Sequence, residues 1–373
     1  MSERTEVLIA GAGPTGLTLA CALTARGIDH VLLDQAERGA NTSRAAVIHA
    51  RTLEVLDGLG ISEELVRRGI VVPAFAVRDR DRVLMRVPFG GLPTKFPYTL
   101  MLPQDVTEQV LAAHLPAGSV RWGHRVVGFE NDAAKVAGPD GSISEIRFRY
   151  LAGCDGMHSA VREQTGIGFT GDQYAESFVL ADVTMDWPYP RDEVNLFFSP
   201  NGLVVVAPLP GDHYRIVATL DSAPEHPTAL DVQRLLDDRG PMVSPGRVTG
   251  VAWSSRFRVH HRLADHYRQG PVFLAGDAAH VHSPAGGQGM NTGIQDAVAL
   301  ARVLAGDPAD LDAYERERRP VAAQVVATAH RMTRAATVRN PLLRAGRNTV
   351  LGFAGHVPAV RRRLALNLSE LGR

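Results

Sequence analysis

The first residues of the chain alternate between short apolar runs and a glycine-rich turn. Val7 to Ala10 predict a buried strand, and Gly11-Ala12-Gly13-Pro14-Thr15-Gly16 follows directly. The apolar stretch from Leu17 to Ala25 has helical spacing and is closed by Gly27, and His30 to Asp34 predict a second strand. The chain therefore begins with a strand–helix–strand unit of the kind that builds parallel sheets.

Further along, helical and strand-like patterns alternate. Helical spacing occurs in 51–59, 61–68, 103–115, 289–304 and 311–334, and Pro320 is expected to kink or divide the last of these. Strands are predicted within 71–89, 120–130, 135–137, 143–151 and 271–275. Shorter β-rich runs at 193–198, 203–208 and 214–220 indicate a mainly β segment between about Gly171 and Ala264.

Composition narrows the class of protein. The 373 residues favour two domains, and 40 basic against 40 acidic residues leave no global field to attract nucleic acid. No signal peptide is recognisable, and the apolar runs are far shorter than the roughly 20 residues that span a bilayer. Two isolated cysteines, Cys21 and Cys154, suggest no disulfide framework. We expect a cytoplasmic protein without nucleic-acid or integral membrane association, either a monomer or a homodimer.

The first glycine cluster has a physical explanation. Gly11 permits the sharp turn, Gly13 lets a pyrophosphate approach the backbone, and Gly16 lets helix and strand pack closely. Asp34 lies 23 residues after Gly11, at the end of the second strand, where a carboxylate can accept hydrogen bonds from a ribose. A dinucleotide site is therefore predicted, with FAD and NAD both open on this evidence.

A second cluster follows the strand at 271–275. Gly276-Asp277-Ala278-Ala279-His280 leads through Pro284 and Gly286-Gly287-Gln288-Gly289-Met290-Asn291 into a helix. This arrangement offers a carboxylate for sugar hydroxyls and helix N–H groups for an electron-rich ring edge, so both clusters could hold one extended cofactor. A metal site at His280 and His282 is disfavoured because no further ligand lies at useful spacing.

Three segments together resemble the fingerprints of class A flavoprotein monooxygenases, the para-hydroxybenzoate hydroxylase superfamily. They are Gly11 to Gly16, the stretch Gly153-Cys154-Asp155-Gly156-Met157-His158-Ser159-Ala160-Val161-Arg162, and Gly276 to Asp296. Ser43-Arg44-Ala45 and His49 to Glu54 are similar to the flavin-contacting region of the branch that hydroxylates polyketides and phenols. Larger members of that branch carry a thioredoxin-like C-terminal domain, which has no counterpart in the residues after 340 of this chain.

The resemblance implies an α/β fold, with a Rossmann-like FAD-binding domain, an inserted mainly β substrate domain and a C-terminal helical segment. The FAD-binding domain would comprise 1–70, 101–170 and 265–335, the substrate domain 71–100 and 171–264, and the helical tail 336–373. The tail has helical spacing, and we interpret it as a packing or oligomer-contact helix pair.

The resemblance also implies roles for individual residues. Asp34 would bind the adenosine ribose, Arg44 and Gln104 the phosphate and ribityl region, and Asp277 the ribityl or pyrophosphate portion. Gly289, Met290 and Asn291 would face the isoalloxazine, while Asp155 and Arg162 would serve FAD and, indirectly, the nicotinamide. The complete predicted cofactor-binding set is Gly11, Gly13, Pro14, Thr15, Gly16, Asp34, Arg44, Gln104, Val126, Asp155, Gly276, Asp277, Pro284, Gly289, Met290 and Asn291.

The implied reaction is hydroxylation of an aromatic or polyketide-like small molecule. NADPH or NADH would reduce FAD, dioxygen would form a C4a-hydroperoxyflavin, and its distal oxygen would pass to the substrate. The sequence does not identify a catalytic base, and no metal site is predicted. His49, Arg86, Phe197, His213, Tyr214 and Arg215 are conceivable substrate contacts without a motif behind them.

Other members of the same fold remain alternatives. A flavin-dependent halogenase would carry a WxWxIP element, which Asp186-Trp187-Pro188-Tyr189-Pro190 does not match. A reductase or oxidase of the superfamily would bind FAD through the same residues without oxygen transfer. A non-catalytic flavin-binding or ligand-binding protein would keep the fold alone.

Overall fold

The computed structural model describes residues 3–37, 45–199, 201–220, 224–284, 286–336, 338 and 340–372. The strands are β1 Glu3–Ala10, β2 His30–Asp34, β3 Val47–Ile48, β4 Ile70–Val72, β5 Ala74–Asp79, β6 Arg82–Pro88, β7 Thr99–Met101, β8 Val120–Trp122, β9 Arg125–Glu130, β10 Ala133–Ala137, β11 Ile143–Gly153, β12 Phe169–Asp186, β13 Glu193–Ser199, β14 Gly202–Pro208, β15 His213–Leu220, β16 Arg247–Ala264, β17 Arg268–Gln269, β18 Val272–Leu274 and β19 His280–Val281.

The α-helices are α1 Pro14–Thr24, α2 Ala50–Asp57, α3 Ser62–Arg68, α4 Gln104–Ala113, α5 Ala160–Thr165, α6 Ala229–Arg239, α7 Gly289–Leu304, α8 Ala313–Ala336, α9 Pro341–Ala354 and α10 Pro358–Leu368. Short 3₁₀ turns occupy Gly276–Ala278 and Pro308–Asp310. No helix within the described ranges is long and apolar enough to cross a bilayer.

Sheet I has the strand order β17-β18-β11-β1-β2-β8, with β9 and β10 attached beside β11. Its central pairs are parallel, and Val7, Leu8 and Ile9 of β1 are fully buried, as expected for a parallel sheet that is covered on both faces. Ala10 pairs with Gly153 and Leu33, and Gly153 pairs with Leu274. The carboxyl ends of four strands therefore meet at one edge, together with the turns that follow them.

Sheet II has the order β19-β16-β12-β15-β14-β13-β5-β6 and is antiparallel except between β13 and β5. The ranges 71–100 and 171–264 contribute most of its strands, and β19, from the range 265–335, adds its edge. A small sheet III has the strand order β3-β7-β4. Its strands lie where the chain passes from sheet I to sheet II and where it returns to sheet I. The fold is thus mixed α/β with two principal sheets, as the sequence predicted.

Local signals explain where the structure departs from the sequence patterns. The predicted strand 120–130 is broken into β8 and β9, because Gly123 adopts a positive φ of 71°. Helix α6 was missed within the β-rich segment, although Thr228 and Asp231 form a reciprocal capping box at its start. Helix α8 runs undivided through Pro320. The tail contains the predicted helix pair, α9 and α10.

A buried charge network joins α7, α8 and the turn after β18. Asp296 accepts hydrogen bonds from Arg318 Nε at 2.7 Å, from the Gly276 backbone N–H at 3.3 Å and, through a 2.7 Å contact, from His280 Nε2. Burial alone would raise the pKa of Asp296, but Arg318 and His280 outweigh it and hold that pKa below its usual value. The carboxylate is therefore ionised, and its negative charge is compensated by its neighbours.

Replacing Arg318 with alanine should cost about 3–5 kcal/mol of stability, because it leaves a buried carboxylate uncompensated. Denaturant unfolding measures this loss. The wild-type contribution of Asp296 is full above its unfolded pKa of about 4 and is lost as pH falls toward the lower folded value. Arg316→Ala, on the same helix but in an exposed ion pair with Asp310, is the matched control and should change stability little. Equal losses in the two variants would contradict the assignment.

Candidate functional site

The first glycine turn is shaped by close backbone approaches. A Cβ on Gly11, whose φ is +101°, would lie 2.4 Å from the Cys154 carbonyl oxygen, and one on Gly16 would lie 1.8 Å from the Gly11 carbonyl oxygen. A Cβ on Gly13 would meet no atom within 4 Å outside its chain neighbours. Gly11 and Gly16 are therefore required by packing, whereas Gly13 borders open space at the start of α1.

Asp34 closes this turn from the end of β2. Its Oδ2 accepts from the Ala12 backbone N–H at 2.6 Å, and its Oδ1 accepts from the Ala36 N–H at 2.7 Å. The carboxylate thus fixes the glycine turn against the end of β2, while Asp34 also lines the cavity described below.

The segment after β11 carries a second carboxylate. Asp155 Oδ2 accepts from the Val161 N–H at 3.2 Å at the start of α5, while its buried Oδ1 accepts no hydrogen bond from the described residues. Burial raises the pKa of Asp155, and the Ser159 hydroxyl, followed by the N–H groups at the start of α5, counteracts part of that shift. A buried acceptor without a donor indicates a missing hydrogen-bonding partner.

Arg162 ties this segment to the turn after β18. Its Nη2 donates to the Met157 carbonyl at 2.8 Å and its Nη1 to the Ala278 carbonyl at 2.9 Å, and its guanidinium carbon lies 3.9 Å from the centre of the Phe169 ring. These contacts are to the protein itself. Arg162 therefore supports the site by holding two of its turns together.

The two glycine clusters meet at Thr15. A Cβ on Gly276 or on Gly293 would lie 2.4 Å from Thr15 Oγ1, so only glycine fits at either position without displacement. The start of α1 can therefore pack directly on the turn after β18 and on α7. Asp277, exposed in that turn, faces the same cavity.

Helix α7 begins at this cavity without a side-chain cap on its first N–H groups. Gly289 and Met290 line the cavity, whereas the Asn291 side chain is fully buried. Asn291 Oδ1 accepts from the His49 N–H at 2.8 Å, and its Nδ2 donates to the Val47 carbonyl at 2.8 Å and the Gly287 carbonyl at 2.7 Å. Asn291 thus positions the turn before α7 rather than presenting its side chain to the cavity.

These elements surround a single cavity of about 940 Å³. Twelve of the predicted site residues line it, namely Gly11, Gly13, Pro14, Thr15, Asp34, Gln104, Val126, Asp155, Asp277, Pro284, Gly289 and Met290. Gly16, Gly276 and Asn291 lie behind its wall. Arg44, together with Ser43, lies outside the described residues. Gln104 Oε1 accepts from the Ala45 N–H at 3.2 Å, and its Nε2 donates to Glu108 at 2.9 Å.

The cavity continues from this polar end along an apolar face of sheet II. That face includes a stacked pair of aromatic rings, Phe178 and Phe257, whose centroids are 5.6 Å apart. Further apolar lining residues of the sheet are Phe75, Val77, Met85, Val87, Leu180, Val194, Leu196, Phe198, Leu203, Val205, Ala207 and Val217. A polar, glycine-rich end and an apolar end are therefore parts of one space.

Of the six conceivable substrate contacts, Arg215 lines the cavity. It is buried, and both its Nε and Nη2 donate to the Asp182 carboxylate at 2.7 Å, while Nη1 donates to the Ala45 carbonyl at 2.9 Å. Phe197 and Tyr214 belong to the sheet core, and Arg86 pairs with Glu193. His49 Nε2 contacts the Gly286 carbonyl, and neither His49 nor His213 is among the residues that line the cavity.

Sequence reasoning missed the contribution of the C-terminal helices to this site. Leu351 of α9 and Leu364 and Leu368 of α10 line the cavity and pack against the apolar cluster that includes Met85 and Val87. Met332 and Thr333, near the end of α8, line the cavity beside the turn that contains Ser283 and Gly286. Their apolar spacing was visible in the sequence, but spacing alone does not identify the surface on which a helix packs.

Comparison with known proteins agrees with this architecture. The model of the family described as FAD binding domain matches residues 4–329. The chain is 38% identical over 377 residues to 6-methylpretetramide 4-monooxygenase of Streptomyces rimosus, covering 96% of this chain and 67% of that protein. It is 34% identical to pentachlorophenol 4-monooxygenase of Sphingobium chlorophenolicum, covering 89% of this chain and 65% of that one. The chain thus spans about two thirds of the length of these relatives.

A solved structure resembles the chain over nearly its whole length. The p-nitrophenol 4-monooxygenase of Pseudomonas putida DLL-E4 superposes with a TM-score of 0.88 at 29% identity, covering 99% of this chain and 98% of that one. The family model covers most of the chain, and the glycine turns it includes are those that meet at the cavity. The chain therefore belongs to the FAD binding domain family and is an FAD-dependent monooxygenase of the aromatic hydroxylase type.

Proposed function

We propose that this enzyme hydroxylates an uncharged aromatic or polyketide-like small molecule with FAD, NADPH or NADH, and dioxygen. The observation that carries the proposal is the continuity of the cavity, in which the glycine turns open directly onto an apolar, aromatic-lined chamber. The relatives named above act, by their names, on 6-methylpretetramide, pentachlorophenol and p-nitrophenol. An apolar chamber is the environment such rings require.

Three features of the polar end fit FAD. The space beside Gly13 admits a pyrophosphate. Asp155 Oδ1 accepts no hydrogen bond from the described residues, and a ribityl hydroxyl could supply the donor. The first N–H groups of α7 have no side-chain cap, so they can face an electron-rich ring edge. We assign the adenosine ribose to Asp34 and the ribityl or pyrophosphate portion to Asp277. Gln104 and Arg44 are assigned to the phosphate and ribityl region, and Gly289 and Met290 to the ring.

Bound FAD supplies the redox chemistry, since it accepts hydride from the nicotinamide and reacts with dioxygen, which amino-acid side chains cannot do. The protein contributes electrostatics and shape. The N-terminus of α7 would place a partial positive charge beside the assigned ring site and so would stabilise the negative charge of a reduced flavin. The apolar walls of sheet II would limit the access of water to the substrate.

The charges on the chamber wall limit the substrate class. Arg215 is the formally charged side chain among the described residues of sheet II that line the cavity, and its charge is balanced by the bidentate contact with Asp182. A substrate carboxylate would compete with Asp182 for that guanidinium and lose its own hydration. We therefore favour phenolic or neutral aromatic substrates over aromatic acids.

We place the enzyme in the cytoplasm. Cys21 and Cys154 are both buried as free thiols, which suits a reducing compartment. Burial raises the pKa of the Cys21 thiol to about 12, so it stays protonated at neutral pH.

Gly13→Ala should weaken FAD binding at least about tenfold, which corresponds to about 1.4 kcal/mol, because the new methyl group enters the space assigned to the pyrophosphate. The backbone at Gly13, with φ of −72° and ψ of −174°, suits alanine, so apoprotein stability should fall by no more than about 1 kcal/mol. Fluorescence titration of apoprotein with FAD measures the affinity.

Gly90→Ala is the control for this experiment. A Cβ there also meets no atom within 4 Å, but Gly90 does not line the cavity. Its FAD affinity should equal that of the wild type. Unchanged FAD affinity in Gly13→Ala would contradict the assignment of the pyrophosphate to this turn.

Turnover of a phenol under isotopically labelled dioxygen should place one labelled atom in the product and the other in water for each NAD(P)H consumed. Mass spectrometry of the product provides the measurement. A reductase or oxidase of the same superfamily would give an unlabelled product, and that result would overturn the hydroxylase assignment while leaving the FAD site intact.

A further inference from the structure

The C-terminal helix pair borders the apolar part of the chamber. Helices α9 and α10 pack on β6, where Ala365 is buried in the same apolar cluster as Met85 and Val87. Leu364 and Leu368 are one helical turn apart and therefore lie on the same face of α10. Both line the cavity, together with Leu351 of α9, and all three pack against the apolar cluster of β5 and β6.

The end of α10 is fixed relative to the flavin end of the cavity. The Arg51 backbone N–H donates to the Ser369 carbonyl at 3.1 Å, and Gln288 Nε2 donates to the Asn367 carbonyl at 3.5 Å. Gln288 directly precedes the start of α7. Ser369 and Glu370 are almost fully buried beside these contacts. The wall formed by α10 is thus held at a set position from the assigned ring site.

We propose that Leu364 and Leu368 determine how large a ring system the enzyme accepts. The inference rests on the proposed function and deepens it by identifying the wall that limits the substrate. A substrate that lies against the apolar face of sheet II shares the cavity with these two leucine side chains. Apolar pockets discriminate by volume, and one methylene changes specificity by roughly 10–200-fold.

The test compares phenol, 2-naphthol and 2-hydroxyanthracene as substrates that differ in ring number. Leu364→Ala and Leu368→Ala should raise kcat/KM for the three-ring phenol relative to phenol by about tenfold. Leu364→Phe should lower the ratio of kcat/KM for the three-ring phenol to kcat/KM for phenol. This variant keeps the test decisive if an alanine variant folds poorly. A merely structural role would lower all three values together and leave the ratios unchanged, and that outcome would overturn the proposal.

Leu342→Ala is the matched control. Leu342 is 83% exposed on α9 and does not line the cavity, so the same substitution should leave every ratio at the wild-type value. FAD content and thermal unfolding of each variant establish that the cofactor site is intact.

A binding readout separates this proposal from the proposed function. The Kd of each phenol is measured from the perturbation of the bound flavin's absorbance, without turnover. If the Kd ratios shift as described but no labelled oxygen enters any product, the chamber assignment stands and the hydroxylase assignment fails. If products are labelled but neither Kd nor kcat/KM ratios respond to the leucine variants, the chamber assignment fails alone.

Discussion

The buried carboxylate of Asp296 is the constraint on which the site depends. It accepts hydrogen bonds from the Gly276 N–H in the turn after β18, from the His280 ring at the edge of sheet II, and from the Arg318 guanidinium of α8. Each of these three elements also contributes residues to the cavity lining, namely Asp277, Val281 and Met332. Because a buried charge is stable only with its partners in place, the charge fixes the relative positions of the turn, the sheet edge and the helix.

Close backbone packing then divides the glycines into two kinds. One kind is tightly packed against other parts of the protein, because an added Cβ would overlap a neighbouring carbonyl or the Thr15 side chain; these are Gly16, Gly276 and Gly293. The other kind borders open space, and Gly13 is the example. The first glycine motif therefore combines residues that make the turn with one residue that leaves room for a ligand, which is the division that the motif predicted for Gly11, Gly13 and Gly16.

Much of the fold and of the polar end could be predicted because their signals are local. The strand–turn–helix order, the carboxylate of Asp34 and the bounds of α7 all follow from spacing within short segments. The inward direction of Asn291 was not visible, because its partners are backbone groups at Val47 and His49, far away in the sequence. Helix α6 was not predicted, although the capping box at Thr228 indicates the start of a helix, because the residues on both sides of it have a strand-like pattern.

The apolar chamber could not be predicted from the sequence, for a different reason. Its walls combine strands of sheet II such as β5 and β14 with α8 and the C-terminal pair, which lie far from those strands along the chain. An apolar residue facing such a chamber has the same pattern as one packed in a core, so spacing cannot separate Leu364 from Ala365. A cofactor shared by a family can be held by a compact motif, whereas a substrate is selected by shape distributed over the whole fold. Substrate preference can therefore change through scattered wall residues while the glycine turns stay the same.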